Sequence, residues 1–216
     1  MKIKVFINNE FSENCYIAYD EVSREAVIID PGMRYEKEKK NVSDFVKTNS
    51  LTIKHILLTH YHVDHVFGCE FCTKEFGLGL TGSLEDQLGL PTPKMQSELF
   101  GVGDCGFIPS ISADLHEGDE LSFGNITVKV IDCPGHSHHG FCYYMPEEKI
   151  LFTGDVLFNM SIGRSDFGEQ FGGDGEALVE NIKSKLLTLP EDVDVYPGHG
   201  PRTAIALEKS RNPFLV

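Results

Sequence analysis

The chain has 216 residues, 41% of them hydrophobic, with 19 Lys and Arg against 33 Asp and Glu and a formal net charge of -14. That length and apolar content suit one packed domain over 1–216 and exclude a disordered chain. The charge excludes recognition of nucleic acid or of an anionic membrane surface, since both need clustered Lys and Arg.

The chain opens MKIKVFINNE, without the apolar core of a signal peptide, and no apolar run approaches the ~20 residues of a membrane span. The expected location is the cytoplasm. Alternating β-rich runs predict strands at 2–7, 14–20 and 25–30, and Asp30-Pro31-Gly32 ends the third as a structural turn. Residues 35–49 read as an amphipathic helix. A short buried strand at 54–59 then runs into a cluster of histidines, and 65–77 reads as a helix. The Gly- and Pro-rich stretch 81–118 reads as an insertion or lid beside the site, with one short helix around 94–100. Strands are expected at 126–132, 141–145, 149–155 and 192–197, with helices at 175–187 and 203–211. Strands, a helix between strands, and the same order again predict an α/β protein with two packed sheets and helices outside.

Six cysteines are present, and Cys69 and Cys72 form the sole C-x-x-C pair. With no sign of export, reduced thiols are expected, and this pair reads as two ordinary thiols on the helix that follows the histidines.

The chemistry is concentrated in Thr59-His60-Tyr61-His62-Val63-Asp64-His65. Residues two apart on an extended segment share a side, so His60 and His62 can grip one metal. The chain must turn after the strand, which lets Asp64 and His65 face a second. Three more donors sit in Gly-bearing loops at strand ends: His136 in Cys133-Pro134-Gly135-His136-Ser137, Asp155 in Phe152-Thr153-Gly154-Asp155, and His199 in Pro197-Gly198-His199-Gly200-Pro201. Imidazole with carboxylate suits zinc, and also iron or manganese. His55, His116, His138 and His139 fall outside the set. His138 and His139 stand close enough to His136 to border a substrate mouth, although surface exposure is the simpler expectation. Arg164 reads as an ion-pair partner, and the phenylalanines and Tyr143 and Tyr144 as core.

The order HxHxDH, PGHS, GD, PGHG resembles the metallo-β-lactamase superfamily over nearly the whole chain. The segments 157–166 (LFNMSIGRSD), Gly172-Gly173-Asp174, His199-Gly200-Pro201-Arg202-Thr203 and Arg211-Asn212-Pro213-Phe214 resemble the compact glyoxalase II-type (hydroxyacylglutathione hydrolase-like) enzymes. This resemblance implies an αββα sandwich of two mixed sheets. It assigns His60, His62 and His136 to one divalent ion, Asp64, His65 and His199 to another, and Asp155 as the bridge. Asp64 and Asp155 are accordingly the candidate catalytic carboxylates. The chain departs from the family at His138 and His139 and at Cys69 and Cys72. It also lacks the appended helical domain that helps larger glyoxalase II enzymes bind glutathione, which leaves the carrier thiol open.

The implied activity is hydrolysis of a small-molecule thioester by a metal-bridging hydroxide. Two divalent ions, two carboxylates and that hydroxide leave the inferred site at about +1, which suits a developing oxyanion. The competing readings are a mononuclear iron sulfur (persulfide) dioxygenase, a lactone hydrolase and a non-catalytic binding protein on the same scaffold.

Overall fold

The computed structural model describes all 216 residues, Met1–Val216. In chain order the elements are β1 (Lys2–Asn8), β2 (Glu13–Tyr19), β3 (Glu25–Ile29), α1 (Glu36–Thr48), β4 (Thr52–Leu57), α2 (Val63–Val66), α3 (Cys69–Phe76), β5 (Leu80–Gly82), α4 (Leu84–Gly89), α5 (Pro93–Phe100) and β6 (Ile111–Asp114). There follow β7 (Glu120–Phe123), β8 (Ile126–Asp132), β9 (Phe141–Met145), β10 (Ile150–Gly154), the small hairpin β11 (Leu157–Phe158) and β12 (Ser161–Ile162), α6 (Gly175–Asn181), β13 (Asp194–Pro197), β14 (Thr203–Ala204) and α7 (Ile205–Arg211). A π-helical turn, Ile182–Leu186, prolongs α6.

One six-stranded sheet runs β1-β2-β3-β4-β5-β6 and the other β14-β13-β10-β9-β8-β7. Both are mixed: β3-β4, β4-β5, β5-β6 and β10-β13 pair in parallel and the remaining neighbours antiparallel. The layering follows from side-chain alternation. On β2, Tyr16 and Ala18 face the other sheet and join Val128, Val130, Phe141, Tyr143 and Phe152 in the central core. Cys15, Ile17 and Tyr19 face outward against Val42 and Val46 of α1 and Cys69 and Cys72 of α3. Beyond the second sheet, Cys142, Leu151 and Val195 pack on Leu178, Ile182 and Ile205. Three apolar layers between four structural layers make an αββα sandwich, and a strand such as β2 is buried along its whole length.

The expected strands and helices are present near their expected bounds, and β7, the hairpin β11–β12 and the short strand β14, which takes the first two residues of the helix expected over 203–211, are added to them. Two segments differ more. The helix expected over 65–77 is broken into α2 and α3 at Phe67-Gly68. The segment 81–118 is more than an insertion or lid: besides α5, which matches the helix expected around 94–100, it supplies α4 and the two strands that extend the first sheet, β5 and β6. Cys69 and Cys72 are free thiols buried in the outer core, and burial pushes both thiols' pKa values up. No helix is long and apolar enough to cross a membrane.

Candidate metal centre

The sheet topology brings the donors together. β8 is antiparallel to β9, which is antiparallel to β10, and β10 is parallel to β13. β8, β10 and β13 therefore point the same way, and the loops at their C-terminal ends, bearing His136, Asp155 and His199, share one edge. The other sheet delivers His60, His62, Asp64 and His65 from the loop after β4 and the short α2. Gly135, at φ 126°, lets the 134–137 turn press on α6, where a Cβ would stand 2.5 Å from the Leu178 nitrogen.

All seven predicted donors converge. The donor atoms form three groups, each within 4.8 Å: His60, His62 and His136; His60, His65 and Asp155; Asp64, His65 and His199. His62 Nδ1 lies 3.0 Å from His136 Nε2. Asp155 reaches toward both ends, with one oxygen 3.4 Å from His65 Nε2 and the other 3.6 Å from His136 Nε2 and 3.5 Å from His199 Nε2. Asp64 lies 3.2 Å from His199 Nε2 and 3.5 Å from His65 Nε2. A tetrahedral ion with bonds of ~2.0–2.1 Å holds its donors roughly 3.3 Å apart, and the observed separations straddle that value.

The far nitrogens of His60, His136 and His199 are already occupied, which aims the near ones inward. His60 Nδ1 meets Thr59 Oγ1 at 3.0 Å, His136 Nδ1 meets the Arg164 carbonyl at 2.7 Å, and His199 Nδ1 meets the Phe11 carbonyl at 3.0 Å. His65 Nδ1 stands 3.1 Å from Asp30 Oδ2. Asp30 also accepts from the Thr59 amide and hydroxyl, both at 2.7 Å. Partners of this kind fix ring orientation in metal sites. In contrast, His60 Nε2, His65 Nε2 and Asp155 Oδ1 are buried with no hydrogen-bond partner. Burying such atoms without a partner is costly, and a cation among them removes the cost.

The electrostatics point the same way. Burial, reinforced by neighbouring imidazoles, lowers the pKa of His60 far below the ordinary value and that of His62 to about 3. Burial also lowers that of His136. Burial opposes ionisation of Asp155, but His199, His65 and His136 outweigh it and hold its pKa well below the usual range. Burial opposes the charge on His65 and His199 as well, but Asp64 and Asp155 outweigh it and raise the pKa of both, of His65 well above the ordinary value. The two imidazolium charges beside the carboxylates stand where a divalent ion would, and its binding would release those protons.

Several supporting residues escaped the sequence reading. Asp30, taken as a turn, is 2% exposed and steadies two donors. Asp86 of α4 accepts from the backbone nitrogens of Tyr61 (2.8 Å) and His139 (2.9 Å), tying together the loops that carry His60 and His136. Gln96 of α5 accepts from the Val63 amide and donates to the Tyr61 carbonyl, as a strand backbone would. No short motif announces any of these. Phe11, Phe100, Phe158 and Phe167, expected in the core, instead line a cleft of about 300 Å³ over the donors, with Arg164 beside them. Arg164 is the expected ion-pair partner, held bidentately by Asp166. His138 and His139 are half-buried and outside this cleft. His139 lies between Asp132 and Glu85, 3.0 Å from each, and His138 packs on Gly89.

An αββα sandwich with a split His/Asp cluster of binuclear size at one sheet edge defines a metallo-hydrolase class. The chain belongs to the metallo-β-lactamase superfamily, whose family model matches residues 8–199. Among curated relatives, hydroxyacylglutathione hydrolase GloC of Haemophilus influenzae is 36% identical, covering 100% of this chain and 98% of its own. The crystal structure of the BLEG-1 B3 metallo-β-lactamase is similar with a TM-score of 0.87 at 34% identity, covering 100% of both chains. That of TTHA1623 in a di-iron-bound form has a TM-score of 0.82 at 34% identity, covering 98% of this chain and 100% of that one.

Proposed function

We propose that the protein is a binuclear metal-dependent hydrolase of thioesters. His60, His62 and His136 would hold one ion, Asp64, His65 and His199 the other, and Asp155 would join them. When bound, two such ions supply Lewis acidity and a water acidic enough to be a nucleophile near neutral pH. The chain's own residues set everything else. The Thr59, Asp30, Arg164 and Phe11 contacts keep the imidazoles oriented without rearrangement. The phenyl rings over the donors exclude water, which strengthens the electrostatics beneath them.

The lining of the cleft carries the choice of thioester. Apart from the donors it consists of four phenylalanines and Arg164, and none of these is a proton donor at neutral pH. A thiolate departs as a weak base without a proton, whereas an amine or alkoxide needs one. The likeness to GloC along the whole chain supports the same substrate class. The test is hydrolysis by metal-replete enzyme of S-lactoylglutathione, simpler thioesters, a lactone and a β-lactam, beside elemental analysis. Thioester turnover ahead of the others with two ions per chain is expected. A single iron with oxygen uptake on a persulfide would replace this reading with the dioxygenase, and faster lactone or β-lactam turnover would replace the substrate class. Zinc, iron and manganese are distinguished by the same elemental analysis.

A further inference from the structure

The cleft also discriminates among thioesters, an inference that rests on the reading above. Five of its ten lining residues are donors, and the other five are Phe11, Phe100, Phe158, Phe167 and Arg164. No hydroxyl or amide side chain lines it. Phe100 lies 6.0 Å from both Phe11 and Phe167 and 6.2 Å from Phe171, centroid to centroid, making one continuous aromatic wall. That wall overhangs the first donor group, with Phe167 6.2 Å from His62 and 6.3 Å from His136. At the other end Phe158 stands 6.2 Å from His199. A C(=O)–S bond lying across the donors therefore meets phenyl rings on both arms, whichever way round it binds.

Arg164 does not alter this balance. Its guanidinium stacks on Phe167 at 4.3 Å and points Nε and Nη2 at Asp166, 2.9 Å from each carboxylate oxygen, which leaves Nη1 as the single polar group free at the rim. Against the phenyl wall, the peptide groups of a glutathione carrier or a hydroxyl on the acyl group would shed water without gaining a partner, Arg164 Nη1 at the rim excepted.

We propose that the preferred substrates are thioesters of apolar acids, with a short alkyl or aryl acyl group seated on the Phe11–Phe100–Phe167 wall. In the reaction, water oxygen bonds to the acyl carbon and the C–S bond breaks. The sulfur leaves with the bonding pair as thiolate, and both water protons pass to solvent, one as the oxygen attacks and one from the carboxylic acid formed.

The test uses metal-loaded enzyme and acetyl, butyryl, hexanoyl and phenylacetyl thioesters of N-acetylcysteamine, beside S-lactoylglutathione. Expected is a rise in kcat/KM of roughly threefold to fourfold per added methylene until the cleft is full. S-lactoylglutathione should fall below the butyryl ester. Phe100→Ala and Phe167→Ala should flatten the chain-length slope while keeping wild-type metal content. A flat series, or S-lactoylglutathione ahead of every apolar ester, overturns the proposal. Binding of the product acids, acetate through hexanoate and phenylacetate, measured by calorimetry, separates the two readings. Affinity that climbs with chain length while no thioester is cleaved retains the apolar cleft and removes the thioesterase reading. Affinity that stays level removes the apolar cleft whatever the enzyme hydrolyses.

Discussion

Gly198 is one atom short of destroying the site. A Cβ there would lie 2.2 Å from Asp155 Oδ1 and 2.8 Å from His65 Cε1, distances no relaxed structure tolerates. Gly198→Ala should therefore push aside the carboxylate that serves both donor groups. After loading, the variant should hold clearly fewer than two ions per chain, with activity falling at least tenfold. Elemental analysis and kcat/KM together check this, and full metal with full rate would mean that the loop yields at no cost. That these seven side chains converge could be anticipated, because each carries its own chemistry in a fixed spacing: HxHxDH after a strand, then His or Asp beside glycine. Asp30 could not. Asp-Pro-Gly is a turn signal in any protein, and only the fold places Asp30, at φ 50°, beneath His65 and Thr59.

At the scale of elements, α4, β5 and β6 correct the sequence reading most, whereas α5 falls on the short helix expected around 94–100. Their segment is rich in Gly and Pro, and β5 has three residues and β6 four, too few to display a period. Their parallel pairing joins positions far apart in the chain, which no local pattern reports. Yet these helices hold the donor loop by its backbone through Asp86 and Gln96, while Phe100 at the end of α5 reaches the cleft. The segment borders the substrate and is also scaffold. Asp86 gives this a measurable consequence. Burial raises its pKa to about 6, despite the two amides that favour its charge. The folded state thus binds more protons than the unfolded state between the ordinary carboxylate value and pH 6. Its contribution to stability is complete below about pH 4 and declines as pH rises through about 6, by up to roughly 3 kcal/mol. Asp86→Asn has no proton to lose. Subtracting its urea-unfolding free energy from that of the wild type should leave a difference that moves against the wild type from pH 4 to 7. A difference that is constant with pH would mean Asp86 is ionised throughout.

For the molecule as a whole, the charge of -14 surrounds a cleft whose inferred centre is slightly positive. Composition alone reported that imbalance; the order of strand and helix patterns indicated the α/β class and the family resemblance the αββα sandwich, while strand order and register came only from the pairing of distant strands. Long-range repulsion should slow anionic substrates and leave neutral ones untouched. Raising salt from about 10 to 150 mM, which shortens the screening length from ~30 to ~8 Å, should increase kcat/KM for S-lactoylglutathione and not for neutral thioesters. Equal responses would place the field of the site, rather than of the surface, in control. The division of the donors has a further consequence for time. Four lie in 60–65 and three in 136–199, on opposite sheets, so neither half of the chain possesses the set. Bound ions would then be a latch that engages only after the sheets have docked, late on the folding path. Interactions absent from the transition state govern escape from the native state and not arrival at it. Chelation should therefore accelerate unfolding in stopped-flow experiments, while the refolding rate of the metal-free and metal-loaded protein stays the same.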